Sequence, residues 1–282
     1  MRLCVFPLLL LVACASEESV GGLETPLACF EPRDGGVFSR GLTAPVPGCA
    51  LSGRPTGVLD LEELGWAPAG GVLVVPPAAA AGVALPAFIV FHGAGGSGQL
   101  TRENLGIEAP ADGGAVFVYP NAPRGTWDVG RNSADGRITE GLLGRLAESY
   151  CIDPAHIYLA GHSAGAVFTL YLGCNVPTPF AGMAVVAGAD NRFDTRCCTG
   201  SISALFIHGT EDVAISIVEG RSARGGTLQR DGCGSTSVPD GTNCVLYDCP
   251  APWSVGACEW PGGHDAPPWA GEEIWRFFSP GS

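Results

Sequence analysis

Ile157-Tyr158-Leu159-Ala160-Gly161-His162-Ser163-Ala164-Gly165 decides the reading of this chain. An apolar run fit for a buried strand leads straight into Gly-x-Ser-x-Gly. The two glycines let the backbone turn sharply from strand into helix, and that strained turn lifts a serine hydroxyl clear of the sheet. A hydroxyl held there is placed to attack a carbonyl. The five-residue pattern alone recurs by chance; its place between a strand and a helix gives it meaning. The rival role for Ser163 is a plain helix N-cap.

A nucleophile needs a base, and the base needs an orienting group. The chain has His92, His156, His162, His208 and His264. His162 lies inside the turn beside the serine and is expected to point elsewhere. His156 opens the strand that leads to the turn. His92 and His208 end the apolar runs 88–91 and 204–207 and read as structural, fixing loops near the site. That leaves His264, in Gly262-Gly263-His264-Asp265, with a surface loop histidine as its rival role. For the acid, Gly209-Thr210-Glu211-Asp212 follows a strand's C-terminal end, where open α/β sheets gather functional groups. Asp212 is the first choice and Glu211 the next; Asp212 as an N-cap of the following segment is the bland alternative. The chain order Ser163, Asp212, His264 is that of the α/β-hydrolases.

Outward from the turn, short apolar runs alternate with helical stretches. Strands are expected at 71–75, 87–92, 115–119, 156–160, 182–187 and 203–208, with two late ones near 244–248 and 255–260. Helices are expected at 138–150, 163–173 and 270–279. Residues 213–230 read as helical in part, weakened by Gly220 and Gly225-Gly226. The strands lack polar alternation, as expected where both faces of a parallel sheet are covered. The pattern is α/β: a doubly wound, mostly parallel sheet.

The chain resembles the polyhydroxybutyrate depolymerase and feruloyl esterase group of α/β-hydrolases, which are secreted esterases. The resemblance runs from about Gly71 to Phe278. It rests on His92-Gly93-Ala94-Gly95-Gly96-Ser97-Gly98, Tyr119-Pro120-Asn121, Ile152-Asp153-Pro154-Ala155-His156-Ile157-Tyr158, the Gly161–Gly165 turn, Val185-Val186-Ala187-Gly188, His208-Gly209-Thr210-Glu211-Asp212 and Gly262-Gly263-His264. Val213-Ala214-Ile215 follows the acid without the group's proline, and Asp265-Ala266-Pro267-Pro268-Trp269 separates the histidine from the next tryptophan. These departures bear on substrate choice more than on the reaction. The resemblance implies an α/β-hydrolase fold and a serine carboxylic ester hydrolase with Ser163, His264 and Asp212 as its triad. The substrates it implies are hydroxyalkanoate oligomers or acyl and feruloyl esters of polysaccharide. It needs no cofactor. The oxyanion would be met by the main-chain N–H groups of Ala164 and, from the glycine-rich loop, Ala94. Trp127, in the loop after strand 115–119, is either a wall of the substrate site or a packing tryptophan. Two other readings are a serine peptidase of the prolyl-oligopeptidase type, for which the chain is too short to carry the usual propeller, and an inactive lipid-anchored binding protein.

Composition narrows the rest. The 282 residues carry a net charge of −13, and every one of the 15 basic residues is arginine. Scattered arginines do not make the clustered basic face that nucleic acid needs. The absence of lysine removes Ser–Lys dyads, Schiff bases and Walker-type phosphate loops. Residues 1–13 read as a signal peptide, with Arg2 and an apolar stretch too short to span a membrane. Leu11-Val12-Ala13-Cys14 looks like a bacterial lipobox, which would lipidate Cys14 and tether an exported lipoprotein to the membrane by acyl chains alone; cleavage after Ala13-Cys14-Ala15 is the rival. Residues 14–70 read as a linker and irregular arm, and 71–282 as the catalytic domain. Cys4 and Cys14 apart, ten of the 12 cysteines remain, enough for a disulfide-braced domain in an oxidising compartment. Without a C-x-x-C pair, no metal site is expected. Spacing does not give connectivity. The resemblance suggests Cys233 with Cys249 and Cys244 with Cys258, stapling the segment that carries His264. Cys29 with Cys49 would close an N-terminal loop, and Cys151, Cys174, Cys197 and Cys198 are left open.

Overall fold

Successive residues of each central strand enter opposite cores. In strand β3 (Leu85–Phe91), Ala87, Ile89 and Phe91 face one apolar cluster, and Phe88 and Val90 the other. In β5 (Ile152–His162), Ile157 and Leu159 join the first cluster, Tyr158 and Ala160 the second. A strand buried on both faces has no polar side to show, which is why these runs carry no alternation in sequence. The computed structural model describes residues 49, 53–130, 133–175, 180–190, 198, 200–241 and 243–279.

The strands form one ten-stranded sheet. Its centre runs parallel in the order β4 (Val116–Pro120), β3, β5, β6 (Gly182–Val186), β7 (Ser203–Gly209), β10 (Val255–Trp260). Antiparallel pairs extend both edges: β1 (Gly57–Asp60) and β2 (Gly71–Val75) beside β4, and β9 (Cys244–Tyr247) and β8 (Ser237–Pro239) beside β10. Helix α4 (Ala134–Ser149) and helix α5 (Ala164–Asn175) bring apolar side chains to the first cluster. The second is closed by α2 (Gly98–Leu105), the short α3 (Glu108–Ala111) and α7 (Ala270–Phe278). Helices on both faces of a mostly parallel sheet make this the expected doubly wound α/β architecture. Almost every residue of α5 is buried, the mark of a helix enclosed on all sides.

Sequence and structure part company at particular places. Residues 57–60, read as part of the irregular arm, form an edge strand. The Asp60 carboxylate turns the chain by accepting from the Glu62 and Glu63 N–H groups at 2.7 and 3.1 Å, and Leu61 and Ala67 are buried behind it. The expected boundary at 71 therefore falls inside a hairpin; β1 is too short to announce itself. Helix α2 begins where only a glycine-rich loop is expected. Ser97 caps it by accepting from the Leu100 N–H at 3.2 Å. The partly helical stretch becomes α6 (Ile217–Arg230), started by a Ser216–Glu219 capping box that offsets its internal glycines. The short α1 (Pro77–Ala80) lies in the expected alanine turn.

Cys233–Cys249 and Cys244–Cys258 pair as the resemblance implies. Cys49 does not pair with Cys29: it joins Cys151, 102 residues away, at the start of β5. The reason is the fold, which carries the segment before β1 back to the α4–β5 turn. Cys174, at the end of α5, pairs with Cys198. Cys14, Cys29, Cys197 and the signal segment lie outside the described residues. The Cys244–Cys258 bridge and Glu273 form a cluster of metal-ligand types, but a sulfur in a disulfide offers no thiolate to a metal.

Candidate active site

The serine turn is built by what glycine lacks. A Cβ at Gly161 would strike the Gly165 carbonyl, and one at Gly165 the Phe91 carbonyl, so strand β5, helix α5 and strand β3 meet backbone to backbone. Ser163 sits between them with φ +55°, in the left-handed region that L-residues seldom occupy. Its N–H is held by the Val186 carbonyl at 3.0 Å. Strain anchored on both sides in this way is characteristic of functional sites.

The structure brings all three expected residues together. Ser163 Oγ lies 2.8 Å from His264 Nε2. His264 Nδ1 lies 2.7 Å from Asp212 Oδ2. The second Asp212 oxygen accepts the Ala214 and Ile215 N–H groups at 2.8 and 2.9 Å. Asp212 is buried. Burial works against its charge, but the His264 ring and the two main-chain donors hold its pKa below the usual carboxylate value. Glu211, the second choice for the acid, is exposed and gives only its N–H to the Gly262 carbonyl at 2.9 Å, tying the two loops together.

Three of the remaining histidines, His208, His92 and His162, border this core. His208 lies under the acid loop: its Nε2 is 2.9 Å from the Ile215 carbonyl and 3.3 Å from Asp212 Oδ2. A Cβ at Gly220 would strike its ring, so α6 needs a glycine there. His92 is buried and bridges two loops, its Nδ1 2.7 Å from the Gly93 carbonyl and its Nε2 accepting the Ala122 N–H at 2.9 Å. Burial pushes its pKa below the usual histidine range. Both fit the structural roles expected of them. His162 also points away from the serine, and its Nε2 donates to the main-chain carbonyl of His264 at 2.6 Å. His156 pairs with Asp153 at 2.7 Å, early in β5.

The glycine-rich loop folds over the serine. A Cβ at Gly93 would stand 3.3 Å from Ser163 Cβ. The Gly95 N–H reaches the Gly125 carbonyl at 2.7 Å, and the Gly96 N–H turns back to Gly93 at 3.0 Å. Ala94 lies between these contacts, and Ala164 opens α5 directly after Ser163. Asn121, which sequence reasoning left without a role, joins three segments. Its side chain accepts the Gly98 N–H at 2.7 Å and donates to the Ala69 carbonyl at 2.9 Å.

A cleft of about 130 Å³ opens at Ser163, lined by Thr126, Trp127, Val129, Ala164, Val167 and Ile215. Trp127 is a packing residue that also borders the cleft. It packs, only 4% exposed, with its Nε1 on the His92 carbonyl at 2.7 Å and its ring against Phe91 and Phe168. It also forms part of the cleft wall. A cleft beside a hydroxyl, an imidazole and a carboxylate, walled in part by Trp127, Val129, Val167 and Ile215, can hold an acyl group while the polar line exchanges protons.

No family model matches the chain. Among curated proteins it is similar to feruloyl esterase C of Emericella nidulans, 26% identical over 197 residues, which span 64% of this chain and 71% of that one. It is also similar to the putative esterase NocK of Nocardia uniformis, 30% identical over 45% of this chain and 40% of that protein. Among solved structures, the acetyl xylan esterase from Aspergillus awamori superposes with a TM-score of 0.63 at 14% identity, covering 79% of this chain and 98% of the other. At that identity the likeness speaks for the α/β-hydrolase fold.

Proposed function

We propose that this carboxylic ester hydrolase, of the feruloyl esterase and polyhydroxybutyrate depolymerase-like group, cleaves its substrates through an acyl-enzyme on Ser163. The observation that carries the reading is the unbroken line Ser163 Oγ, His264 Nε2, His264 Nδ1, Asp212 Oδ2, with contacts of 2.8 and 2.7 Å. Ser163 Oγ attacks the ester carbonyl as His264 Nε2 takes its proton. Asp212 holds the imidazole in the Nδ1–H tautomer and stabilises its positive charge. The carbonyl oxygen gains the negative charge, and the Ala164 and Ala94 N–H groups donate to it. As the tetrahedral intermediate collapses, the bond to the alcohol breaks and His264 returns the proton to the leaving oxygen. Water then attacks the acyl-enzyme. His264 takes its proton and passes it to Ser163 Oγ as the acid departs.

The Trp127, Val129, Val167 and Ile215 side chains along the cleft support an acyl group there. The named relatives support acyl or feruloyl esters of polysaccharide as substrates, and the wider group supports hydroxyalkanoate oligomers. Four disulfides among the described residues favour an exported protein. Acylation at Cys14 is the proposed membrane tether.

The test compares the purified protein with Ser163→Ala on p-nitrophenyl acetate and butyrate, methyl ferulate, acetylated xylan and a hydroxybutyrate oligomer. Turnover of at least one ester, reduced about 10^4-fold or more in the variant, is expected. Equal rates in the two proteins across the panel would overturn the reading.

A further inference from the structure

The residue before the serine lies where three parts of the site meet. His162 ends β5. Its Nε2 donates to the His264 main-chain carbonyl at 2.6 Å, and the two rings lie 5.2 Å apart. Its other ring nitrogen faces the glycine-rich loop, where a Cβ at Gly93 would stand 3.4 Å from Nδ1. One imidazole thus fills the space between the loop that carries the base and the loop that covers the serine. The bond to a carbonyl requires a proton on Nε2. Burial keeps the ring below the usual histidine range, so the neutral Nε2–H tautomer suffices.

The base needs this support. The loop after β10 is tied back as far as Gly262, through the Glu211 N–H at 2.9 Å and its own N–H to the Trp260 carbonyl at 2.9 Å. Past Gly262 the Gly263 carbonyl packs where a Cβ at Gly209 would strike it, so contact there is backbone to backbone. The ring of His264 is held on both edges by Asp212 and Ser163, and its main-chain carbonyl is held by His162. The His162 bond reaches the main chain of the base itself, and it runs from the residue covalently joined to the nucleophile.

We propose that His162 is a positioning residue, whose imidazole N–H fixes the His264 main chain to the serine turn and so sets the Oγ–Nε2 separation. The proposal rests on Ser163 and His264 being nucleophile and base. A displacement of about 1 Å in such a pair costs on the order of 10²-fold in rate, and that is the scale expected when the bond is lost.

Three variants separate positioning from mere packing. Glutamine places an amide N–H near the position of Nε2; asparagine is too short to reach; leucine fills the space without a donor. Kinetics on p-nitrophenyl acetate are run for the wild type, Ser163→Ala, His162→Gln, His162→Asn and His162→Leu, with thermal unfolding alongside. The expected result is a 10- to 100-fold lower kcat in His162→Leu and His162→Asn, with KM within about twofold of the wild type, and recovery to within about threefold in His162→Gln. If His162→Leu does not fold, the Gln and Asn pair carries the comparison. A wild-type kcat in His162→Asn or His162→Leu overturns the proposal. So does a loss confined to KM, or a folded His162→Gln no faster than His162→Asn. A wild type no faster than Ser163→Ala sinks the catalytic reading and this one with it, whereas an active wild type with unaffected His162 variants sinks this one alone.

Discussion

The serine turn and the histidine loop reach the same point of the site by opposite routes. Ser163 is placed by exclusion. Backbones of β3, β5 and α5 touch at Gly161 and Gly165, and α5 is enclosed by apolar side chains. His264 is placed by ties. It follows the last parallel strand, beside an antiparallel edge whose residues are largely half-exposed, and disulfides brace that edge at Cys233–Cys249 and Cys244–Cys258. Steric fit leaves no slack at Ser163, which in the proposed mechanism suits an atom that attacks from one fixed point. Hydrogen bonds and cross-links place the histidine side, so in the proposed mechanism the base keeps its position only while those ties hold.

The comparison breaks most sharply at the acid. Asp212→Asn keeps the shape of the histidine side but favours the wrong tautomer of His264. A fall in kcat of about 10^4-fold is expected, measured on p-nitrophenyl acetate with unchanged thermal unfolding. On the serine side, Gly165→Ala attacks the fold itself, because the new methyl meets the Phe91 carbonyl. It should destabilise the protein by about 3 kcal/mol, read as a lower urea midpoint with activity lost in proportion to unfolding. Replacing Cys244 and Cys258 by serine loosens the histidine side. The bridge closes a span of 14 residues, and its loss should cost about 2–3 kcal/mol, with kcat falling faster than fluorophosphonate capture by Ser163. A wild-type kcat in that variant would show that the bridge does not act on the base.

The smallest effect lies on the same edge. Arg221 and then Arg224 hold the Glu259 carboxyl at a pKa of about 2, against the cost of burial. A depressed carboxylate pKa adds stability that is full above its ordinary value and is lost as pH falls through the folded one. Glu259→Gln should therefore lower stability at pH 7 by no more than about 1 kcal/mol, since the pair is partly exposed. The difference should shrink from about pH 4.5 downward and be gone near pH 2, followed by thermal unfolding across that range.

How legible each part was follows from the same contrast. The buried strands and the Ser163 turn are local features, carried by apolar runs and two glycines a few residues apart. Ser163, Asp212 and His264 could be nominated because each lies within a few residues of a glycine and shortly past the end of a strand, in a set order. Structure made at a distance left no local trace. Cys49 finds Cys151 only because the chain returns to the α4–β5 turn, and β1 is recognisable only beside β2. Asn121 and His162 act on backbone atoms 23 to 102 residues away, and a main-chain carbonyl has no sequence signature. Helix α2 was hidden for another reason: its first residue is one of the glycines that mark the preceding loop.

The positive φ of Ser163 also restricts which mutations the lineage can survive. Threonine offers the same hydroxyl, yet its branched Cβ is poorly tolerated in the left-handed region. Cysteine has serine's shape and fits. Of the side chains able to attack a carbonyl at this position, the backbone has discarded one before chemistry is consulted. The site's evolutionary neighbourhood is therefore narrower than its reaction alone would require.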